Sequence, residues 1–350
     1  MKIFKTIAVL FAVLSLTLCG CRAPDENREK RQYEFFDCFD TVITVTLYGL
    51  DDDAQYESVS SLCHDKFMMY HEMFDIYNEY EGMNNLKTIN DKAGGGGIEV
   101  AGDIISLLSK GKDAYYKTGG AVDISIGPLT GLWKRYRDKA NEGYGALAVP
   151  TEKEISEAAA LCDINGIEID EENGTVRLLK AGMMIDVGAI AKGYAAEKVA
   201  DALEDQGIYM YVIAAGGNVK AGRAPSGRSA WNIGIQSPFD EGGILGMVCS
   251  AEVSVVTSGD YQRYYDMGGI RYHHIIDPKT GMPARGNRSV SILCEDSFDA
   301  DILSTALFIM PEEDGRDLIK TTYSADAIWV KENGEMHMTE GAAEVFQNID

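Results

Sequence analysis

The sequence predicts an α+β fold, in which mixed sheets and helices follow one another irregularly along a chain of 350 residues. Some segments are rich in Val, Ile and Thr and alternate as half-buried strands do, while others repeat apolar residues at helical spacing. Their order is not the strict strand–helix alternation of a doubly wound sheet. No low-complexity linker interrupts residues 33–350, which are therefore predicted to form one domain.

These two patterns define the predicted elements in chain order. Strands are predicted at 36–47, 121–126, 175–179, 183–187, 210–214, 231–236, 247–256, 273–276, 289–294 and 325–330, with 175–179 and 183–187 paired and 325–330 the last strand. Helices are predicted at 51–78, 104–117, 151–161, 189–206 and 300–308. Thr151 and Glu154 have the spacing of a capping box. Four consecutive glycines predict a loop over 90–97.

The N-terminus predicts export. Lys2 and Lys5 precede an apolar stretch over 7–18, which is too short for a membrane span and typical of a signal peptide. Gly20 stands directly before Cys21, as in a bacterial lipoprotein cleavage site. We therefore expect a signal peptide over 1–20, a lipid on Cys21, a polar tether over 21–32 and a location on the outer face of the bacterial cell membrane. The alternative is a plain secretory signal.

The charge is strongly acidic, at −23. Loss of residues 1–20 removes two lysines and no acids, which leaves about −25. A surface of this kind argues against nucleic acid and against docking to anionic lipid by charge. An anionic ligand would need a local cation or local backbone donors.

The remaining cysteines do not form a disulfide framework. They are odd in number, scattered and without a C-x-x-C pair, so most of them are expected to be buried small hydrophobic residues. They are Cys38, Cys63, Cys162, Cys249 and Cys294.

Two candidate site segments place a carboxylate directly after an apolar stretch. Asp123 would be costly inside a strand unless it is paired, and the alternative is that it binds turn amides. Asp186 is followed by Gly188 and by a helix that carries Lys192 on its first turn. Free amides at a helix N-terminus favour phosphate, although a plain turn with a surface lysine fits the same pattern.

Three further segments have the same character. Gly216, Gly217 and Asn218 would admit a flat ring or a phosphate, and a hairpin turn fits equally well. Ser258 and Gly259 follow another apolar strand. The pair His273 and His274 precedes a turn at 277–281, and no third His or nearby Cys supports zinc.

One helix carries a possible site for a hard cation. Asp301 and Thr305 are four residues apart and therefore share a helix face. A carboxylate and a hydroxyl, with carbonyls and water, suit Mg²⁺. The alternative is that Asp299 or Asp301 caps the helix.

Taken in this order, the segments resemble the ApbE-type family of FAD:protein FMN transferases over about residues 39–308. Phe39-Asp40-Thr41 stands where the family usually has Met-Gly-Thr. The other carriers are 77–90, 121–128 with Trp133, 186–193, 216–218, 257–260, 274–278 and 301–305.

The resemblance implies an FAD cleft lined by strand-end loops, with Mg²⁺ on the pyrophosphate. Metal ligands would be Asp301, Thr305 and the carbonyl of Ala189, and the catalytic residues His274 and Asp301. FAD, the substrate, would contact Asp40, Tyr77, Ala121, Val122, Asp123, Asp186, Lys192, Gly217, Asn218, Ser258, Gly259, His274 and Ile276.

The implied reaction is transfer of FMN to a Thr or Ser hydroxyl of an exported flavoprotein, often a subunit of a membrane electron-transfer complex, with AMP as leaving group. His274 or a nearby Asp would be the general base. Two alternatives stay open. Water as the acceptor would make the protein a Mg²⁺-dependent FAD pyrophosphatase, and a lipoprotein that binds FAD without chemistry is the other.

Overall fold

The computed structural model describes residues 30–143, 148–240 and 242–349, and within them the chain has the predicted α+β architecture. The strands are β1 (Lys30–Phe35), β2 (Ile43–Tyr48), β3 (Ile98–Glu99), β4 (Ile167–Asp170), β5 (Thr175–Leu178), β6 (Tyr211–Ala215), β7 (Asn218–Ala221), β8 (Trp231–Gln236), β9 (Ile244–Ser250), β10 (Val253–Gly259), β11 (Tyr264–Met267), β12 (Ile270–His273), β13 (Asn287–Cys294), β14 (Asp326–Lys331), β15 (Met336–Met338) and β16 (Phe346–Asn348). The helices are α1 (Asp53–Phe74), α2 (Leu86–Asp91), α3 (Gly102–Lys117), α4 (Gly127–Glu142), α5 (Glu152–Ala159), α6 (Ala191–Asp205), α7 (Ser297–Ile309), α8 (Glu312–Thr321) and α9 (Glu340–Val345).

An antiparallel sheet of eight strands organises the fold, in the order β1-β2-β6-β7-β10-β13-β14-β15. Smaller sheets are formed by β3-β5-β4 and by β16-β9-β8, and β11 pairs with β12 as a hairpin. Helices α1, α6 and α7 pack against the large sheet or against one another. Short turns join β6 to β7 and β14 to β15, whereas long segments connect β2 to β6, β7 to β10, β10 to β13 and β13 to β14.

Both faces of the large sheet are covered. In β10, Val256 belongs to the main core with α1, α6 and α7, while Val253 and Val255 face a second core that includes Trp231. Because both faces are buried, the successive residues Val255 and Val256 are both apolar although they face opposite cores.

A third, smaller core joins α4 to the β11–β12 hairpin. Trp133 stacks on Tyr272 with ring centroids 5.8 Å apart, and Tyr272 stacks on Tyr265 at 5.3 Å. The indole N–H of Trp133 also donates to the carbonyl of Gly281 at 2.7 Å. These contacts fix the orientation of α4 beside the hairpin.

Two strand predictions were wrong. Residues 121–126 form a turn, because the Asp123 carboxylate accepts hydrogen bonds from the Ser125 N–H and hydroxyl, and only Ile126 makes an isolated bridge. Residues 183–187 do not pair with β5, which lies between β3 and β4. Instead the Asn90 side chain binds the N–H and carbonyl of Ile185.

Other boundaries moved. The predicted strand 247–256 is β9 and β10, separated by a turn in which Glu252 has φ of 52°. Strand β1 begins at Lys30, inside the range expected to be a tether, and residues 36–42 form a turn before β2. The strand at 273–276 ends at His273, and β15 and β16 follow the strand expected to be last.

The described cysteines are free thiols. Cys38 and Cys63 are buried, whereas Cys162, Cys249 and Cys294 are partly exposed. No helix in the described ranges is both long and apolar enough to cross a membrane. Cys21 and the apolar stretch over 7–18 lie outside the described residues.

Candidate active site

Asp301 lies at the junction of α6 and α7. Its side chain is almost fully buried, and its Oδ2 accepts a hydrogen bond of 2.8 Å from the N–H of Gly193 on the first turn of α6. A Cβ at Gly193 would lie 2.4 Å from the carbonyl oxygen of Ser297, so only glycine lets the two helices approach this closely. Burial raises the pKa of Asp301 to about 6, against the opposing effects of Lys192 and the Gly193 amide.

Hydroxyl groups gather next to this carboxylate. The Oγ of Ser258, at the end of β10, lies 2.8 Å from the Oγ of Ser304 and 3.3 Å from the Oγ1 of Thr305. Thr305 is one helical turn beyond Asp301 on α7. The structure therefore brings Ser258, Asp301 and Thr305 to one corner of the fold.

The donor set of this corner suits Mg²⁺. The Oδ1 of Asp301 accepts no hydrogen bond from any described residue, so one carboxylate oxygen is available to a cation. Thr305 adds a hydroxyl, and Ala189 lies in the loop directly before α6. Carboxylate, hydroxyl and carbonyl oxygens are the hard ligands that Mg²⁺ prefers.

The loops that carry Asp123 and Asp186 are joined through backbone. The N–H of Asp186 donates to the carbonyl of Ile124 at 3.0 Å. The Asp186 carboxylate accepts from the Thr130 hydroxyl at 2.6 Å and from the Gly188 N–H at 2.8 Å. The Asp123 carboxylate accepts from the Ser125 N–H at 2.7 Å and from the Ser125 hydroxyl at 2.6 Å, and burial raises the pKa of Asp123.

Ala121 and Val122 complete this loop. Both side chains are buried, and the N–H of Val122 donates to the Thr118 hydroxyl at 3.1 Å. The predicted stretch from Ala121 to Asp123 and the Asp186 segment are therefore held together by hydrogen bonds.

Asn218 has a donor without a protein partner. It starts β7 after the hairpin turn at Gly216 and Gly217, and its Oδ1 accepts from the Ser297 hydroxyl at 2.8 Å. Its Nδ2 is buried without a hydrogen-bond partner among the described residues. Buried polar atoms are nearly always paired, so this amide is suited to a ligand acceptor. Gly217 itself packs closely on the carbonyl of Thr257, 2.7 Å from where a Cβ would lie.

The two adjacent histidines differ in role. His273 accepts from the Ile275 N–H at Nδ1 and donates from Nε2 to the Ala284 carbonyl, and burial lowers its pKa to about 4. It is therefore a neutral, structural residue. The buried Nδ1 of His274 has no such partner among the described residues.

The imidazole of His274 lies among positive charges. Burial, and then the charges of Arg263, Arg137 and Lys192, hold its pKa well below the ordinary histidine value. His274 is accordingly neutral at neutral pH. Ile276, two residues on, is buried and forms an isolated bridge with Pro283.

Tyr77 stands at an exposed position near the same charges. Its side chain is 55% exposed, with the Lys134 ammonium 5.4 Å from the ring centroid. The charges of Asp186, Arg263, Arg137 and Asp40 all act on its phenol. Asp40 has a φ of 50°, which places it in the left-handed region within the turn before β2.

Arg137 and Arg263 lie near Tyr77 and His274, and the sequence analysis did not name them. Neither belongs to a recognisable motif. The one available signal was that Arg137 lies four residues after Trp133, so that both share a face of a helix that was itself not predicted.

Two hollows of the surface lie away from the candidate site. One, of about 220 Å³, is lined by residues that include Tyr48, Tyr209 and Arg223, and another, of about 360 Å³, by Glu312 to Asp317 on α8. Neither contains a predicted site residue. The exposed Asp37, the buried Cys38 and the partly exposed His64 form another group, in which His64 lies 3.1 Å from the Asp37 carboxylate.

The fold and the site together define the class of protein. It is an α+β protein whose candidate site combines hard-oxygen ligands, loops at strand ends and nearby positive charges. This combination is suited to a phosphorylated ligand with a divalent cation. The model of the ApbE family matches residues 39–329, and the chain belongs to this family.

Individual relatives agree with this assignment. The chain is 30% identical over 355 residues to the FAD:protein FMN transferase of Treponema pallidum, which covers 97% of this chain and 95% of that protein. A Klebsiella pneumoniae FAD:protein FMN transferase is 31% identical over 297 residues, with 84% and 90% covered. The crystal structure of the ApbE protein from Thermotoga maritima matches with a TM-score of 0.79 and 29% identity, covering 91% of this chain and 100% of that one. The predicted fold class is confirmed.

Proposed function

We propose that this chain transfers the FMN part of FAD to a Thr or Ser hydroxyl of an exported partner protein, with release of AMP and with Mg²⁺ as cofactor. Membership of the ApbE family, together with relatives that are FAD:protein FMN transferases at 30% and 31% identity, makes the chain an FAD:protein FMN transferase. The magnesium ion and the type of acceptor hydroxyl are the parts that we add.

One observation supports the proposal most strongly. The Asn218 amide and the His274 imidazole each have a buried nitrogen without a partner among the described residues. Asn218 is bonded to the first residue of α7, the helix that carries Asp301, and His274 lies in the field of Lys192. A ligand held against the Asp301 corner would give the Asn218 amide an acceptor and the His274 imidazole a polar partner.

The metal would be held by the Asp301 carboxylate, the Thr305 hydroxyl and the Ala189 carbonyl. When bound, Mg²⁺ would offset negative charge on the pyrophosphate oxygens. This local charge is needed because the chain as a whole carries a net charge of −23.

The chain's own groups position the substrate. Lys192 and the first-turn amides of α6 provide positive potential for phosphate. The buried Nδ2 of Asn218 donates a hydrogen bond to the dinucleotide. Ala121 and Val122 offer backbone and apolar surface on the opposite loop.

His274 is the general base of the proposed reaction. As the acceptor oxygen forms its bond to the phosphorus of the FMN half, its proton moves to the neutral imidazole, and the bond from that phosphorus to the AMP oxygen breaks. Burial, and then nearby positive charge, keep the imidazole unprotonated at neutral pH, so that the base is ready before the acceptor binds.

Export and anchoring are part of the same proposal. A lipid on Cys21 would hold the enzyme on the outer face of the membrane, beside an acceptor that belongs to an electron-transfer complex. We expect Cys21→Ala to release the protein from the membrane fraction or to block processing. A Cys21→Ala protein that still carries lipid would contradict the anchor.

The transfer itself is tested by intact mass. An exported flavoprotein domain with one acceptor Thr is incubated with the protein, FAD and Mg²⁺, next to the same domain with that Thr changed to Val. We expect the domain with Thr, and not the domain with Val, to gain the mass of one FMN group. Tight binding of FAD without any product would favour a storage protein.

A further inference from the structure

Two arginines stand together on the wall that α4 and the β11–β12 hairpin form. Arg137 lies one helical turn after Trp133, whose indole stacks on Tyr272 of the hairpin. Arg263 lies in the turn that leads into β11, two residues before Tyr265, which belongs to the same aromatic stack. The packing of α4 on the hairpin therefore brings the two side chains near each other although 126 positions separate them.

Neither guanidinium is neutralised by the protein. In the described parts of the chain, Arg137 and Arg263 form no ion pair and no hydrogen bond. Asp138 is the acid that acts most strongly on Arg137, but its carboxylate is bound by Lys134 at 2.6 Å. Burial lowers the pKa of Arg137, and the charge of Arg263 lowers it further.

The charge of the chain makes the lack of an acid partner among the described residues informative. The net charge of −23 supplies many acids, and Arg288, for example, is paired with Asp260 at 2.8 Å. Two like charges held together, one of them partly buried, are unfavourable unless an anion joins them.

The pair also faces the proposed active site. The charges of both arginines act on the exposed Tyr77 and on His274, and His274 in turn lies in the field of Lys192 at the start of α6. The pair therefore lies near both the exposed ring of Tyr77 and the candidate base His274.

We infer that Arg137 and Arg263 bind phosphoryl oxygens of the dinucleotide substrate, on the wall opposite the Asp301 corner. A guanidinium presents a planar fork of donors that matches phosphate geometry. The inference rests on the proposed function for the identity of the substrate as FAD. It assigns to this wall the recognition of the phosphates rather than of the isoalloxazine ring.

A carboxylate of the acceptor protein is the competing occupant. The position of Arg137 favours phosphate, because its side chain is partly buried and its charge reaches His274, where the phosphorus must lie for proton transfer. An acceptor-docking residue would be expected farther out, on the rim.

The experiment measures equilibrium binding without acceptor, at fixed saturating Mg²⁺. Arg137→Gln, Arg263→Gln and the double variant are titrated with FAD and riboflavin by flavin fluorescence, and with AMP and adenosine by calorimetry. Arg135→Gln is the matched control, since it removes the same charge from the same helix at an exposed position. Melting temperatures verify that each variant is folded.

We expect each single variant to weaken FAD about ten- to hundredfold, with AMP weakened in the same direction and riboflavin and adenosine unchanged. Arg135→Gln should bind FAD as the unmodified protein does. Arg137→Lys should fall between, because it keeps the charge and loses the fork.

Three results would overturn the inference. Riboflavin weakened as much as FAD would mean that the arginines shape the ring site. An unchanged FAD affinity with a raised KM for the acceptor would assign them to acceptor docking. An unchanged affinity for every ligand would leave them without a binding role. The proposed function is judged separately: a chain that binds FAD through these arginines and never modifies an acceptor would retain the inference and lose the function.

Discussion

The α6–α7 corner and the α4–hairpin wall would supply positive charge for an anionic ligand in opposite ways, although the protein as a whole is acidic. At the α6–α7 corner, Asp301 and Thr305 are packed tightly, and positive charge would come from a metal ion and from helix amides. On the α4–hairpin wall, positive charge is built into Arg137 and Arg263, which have no ion pair or hydrogen bond among the described residues.

This difference predicts two kinds of sensitivity. The corner depends on backbone approach, since Gly193 admits no Cβ, so small changes there should abolish the reaction. The arginine wall is formed by side chains that reach the site from a helix and a turn. Changes there should weaken binding in steps while the fold is retained.

The largest effect is expected at Asp301. Asp301→Ala and Asp301→Asn both remove the charge that would hold Mg²⁺, and each should lower the transfer rate at limiting Mg²⁺ by about 10²–10³-fold or more. The two variants differ in stability, because alanine leaves the Gly193 N–H without a partner at a cost of about 1–3 kcal/mol, whereas asparagine keeps an acceptor. Full activity of Asp301→Asn at limiting Mg²⁺ would mean that Asp301 only binds the Gly193 N–H at the start of α6 and holds no metal.

His274 comes next. His274→Ala should slow transfer about 10²–10⁴-fold while FAD affinity changes far less. Because the pKa of His274 is lowered, the rate should hold through pH 6.5 and fall only in more acid solution, where the imidazole becomes protonated. Removing the positive charge in Arg263→Gln should raise that pKa and move the acid limb to higher pH. A pH profile that is identical in the two proteins would contradict the role of His274.

Thr305 should give a moderate effect. Thr305→Ala is expected to raise the Mg²⁺ concentration needed for half-maximal rate, by roughly tenfold for one lost oxygen ligand. Thr305→Ser keeps the hydroxyl and is the matched control, expected to behave as the unmodified protein. If both variants respond alike to Mg²⁺, the hydroxyl is not a ligand.

Ser297 provides the smallest and sharpest test. Ser297→Ala removes the hydrogen bond to the Asn218 Oδ1 but leaves the Nδ2 in place, so FAD affinity should fall by less than about tenfold. Asn218→Ala removes the donor as well and should weaken FAD further. Equal losses in the two variants, by fluorescence titration, would show that the amide only supports α7.

Short-range patterns in the sequence predicted the features that depend only on neighbouring residues. The capping box at Thr151 and Glu154 is present with both of its hydrogen bonds, because it needs only residues three apart. Helix α4 was missed although Pro128 on its first turn and Gly143 at its end are ordinary boundary residues. The strand at 121–126 failed because the Asp123 side chain binds the backbone that a strand would have used.

Candidate site residues could be proposed from the sequence where they lie in one segment, and not where distant segments meet. Asp301 and Thr305 belong to one helix, so their spacing alone places them together. The two arginines become neighbours only after Trp133 packs on the hairpin. Nothing local marks Arg137 as different from Arg135, and their different exposure follows from tertiary packing.

In the proposed arrangement, the α6–α7 corner and the α4–hairpin wall together hold FAD with its phosphorus open to attack by a protein hydroxyl. The most direct test is the time course of AMP release with FAD and Mg²⁺, with and without a Thr-bearing acceptor domain, alongside protein-bound flavin. We expect AMP and bound flavin to form in equal amounts with acceptor, and AMP release to be slow without it, because the site excludes water until the acceptor docks. AMP and free FMN formed at the full rate without acceptor would contradict the claim and make the protein a pyrophosphatase.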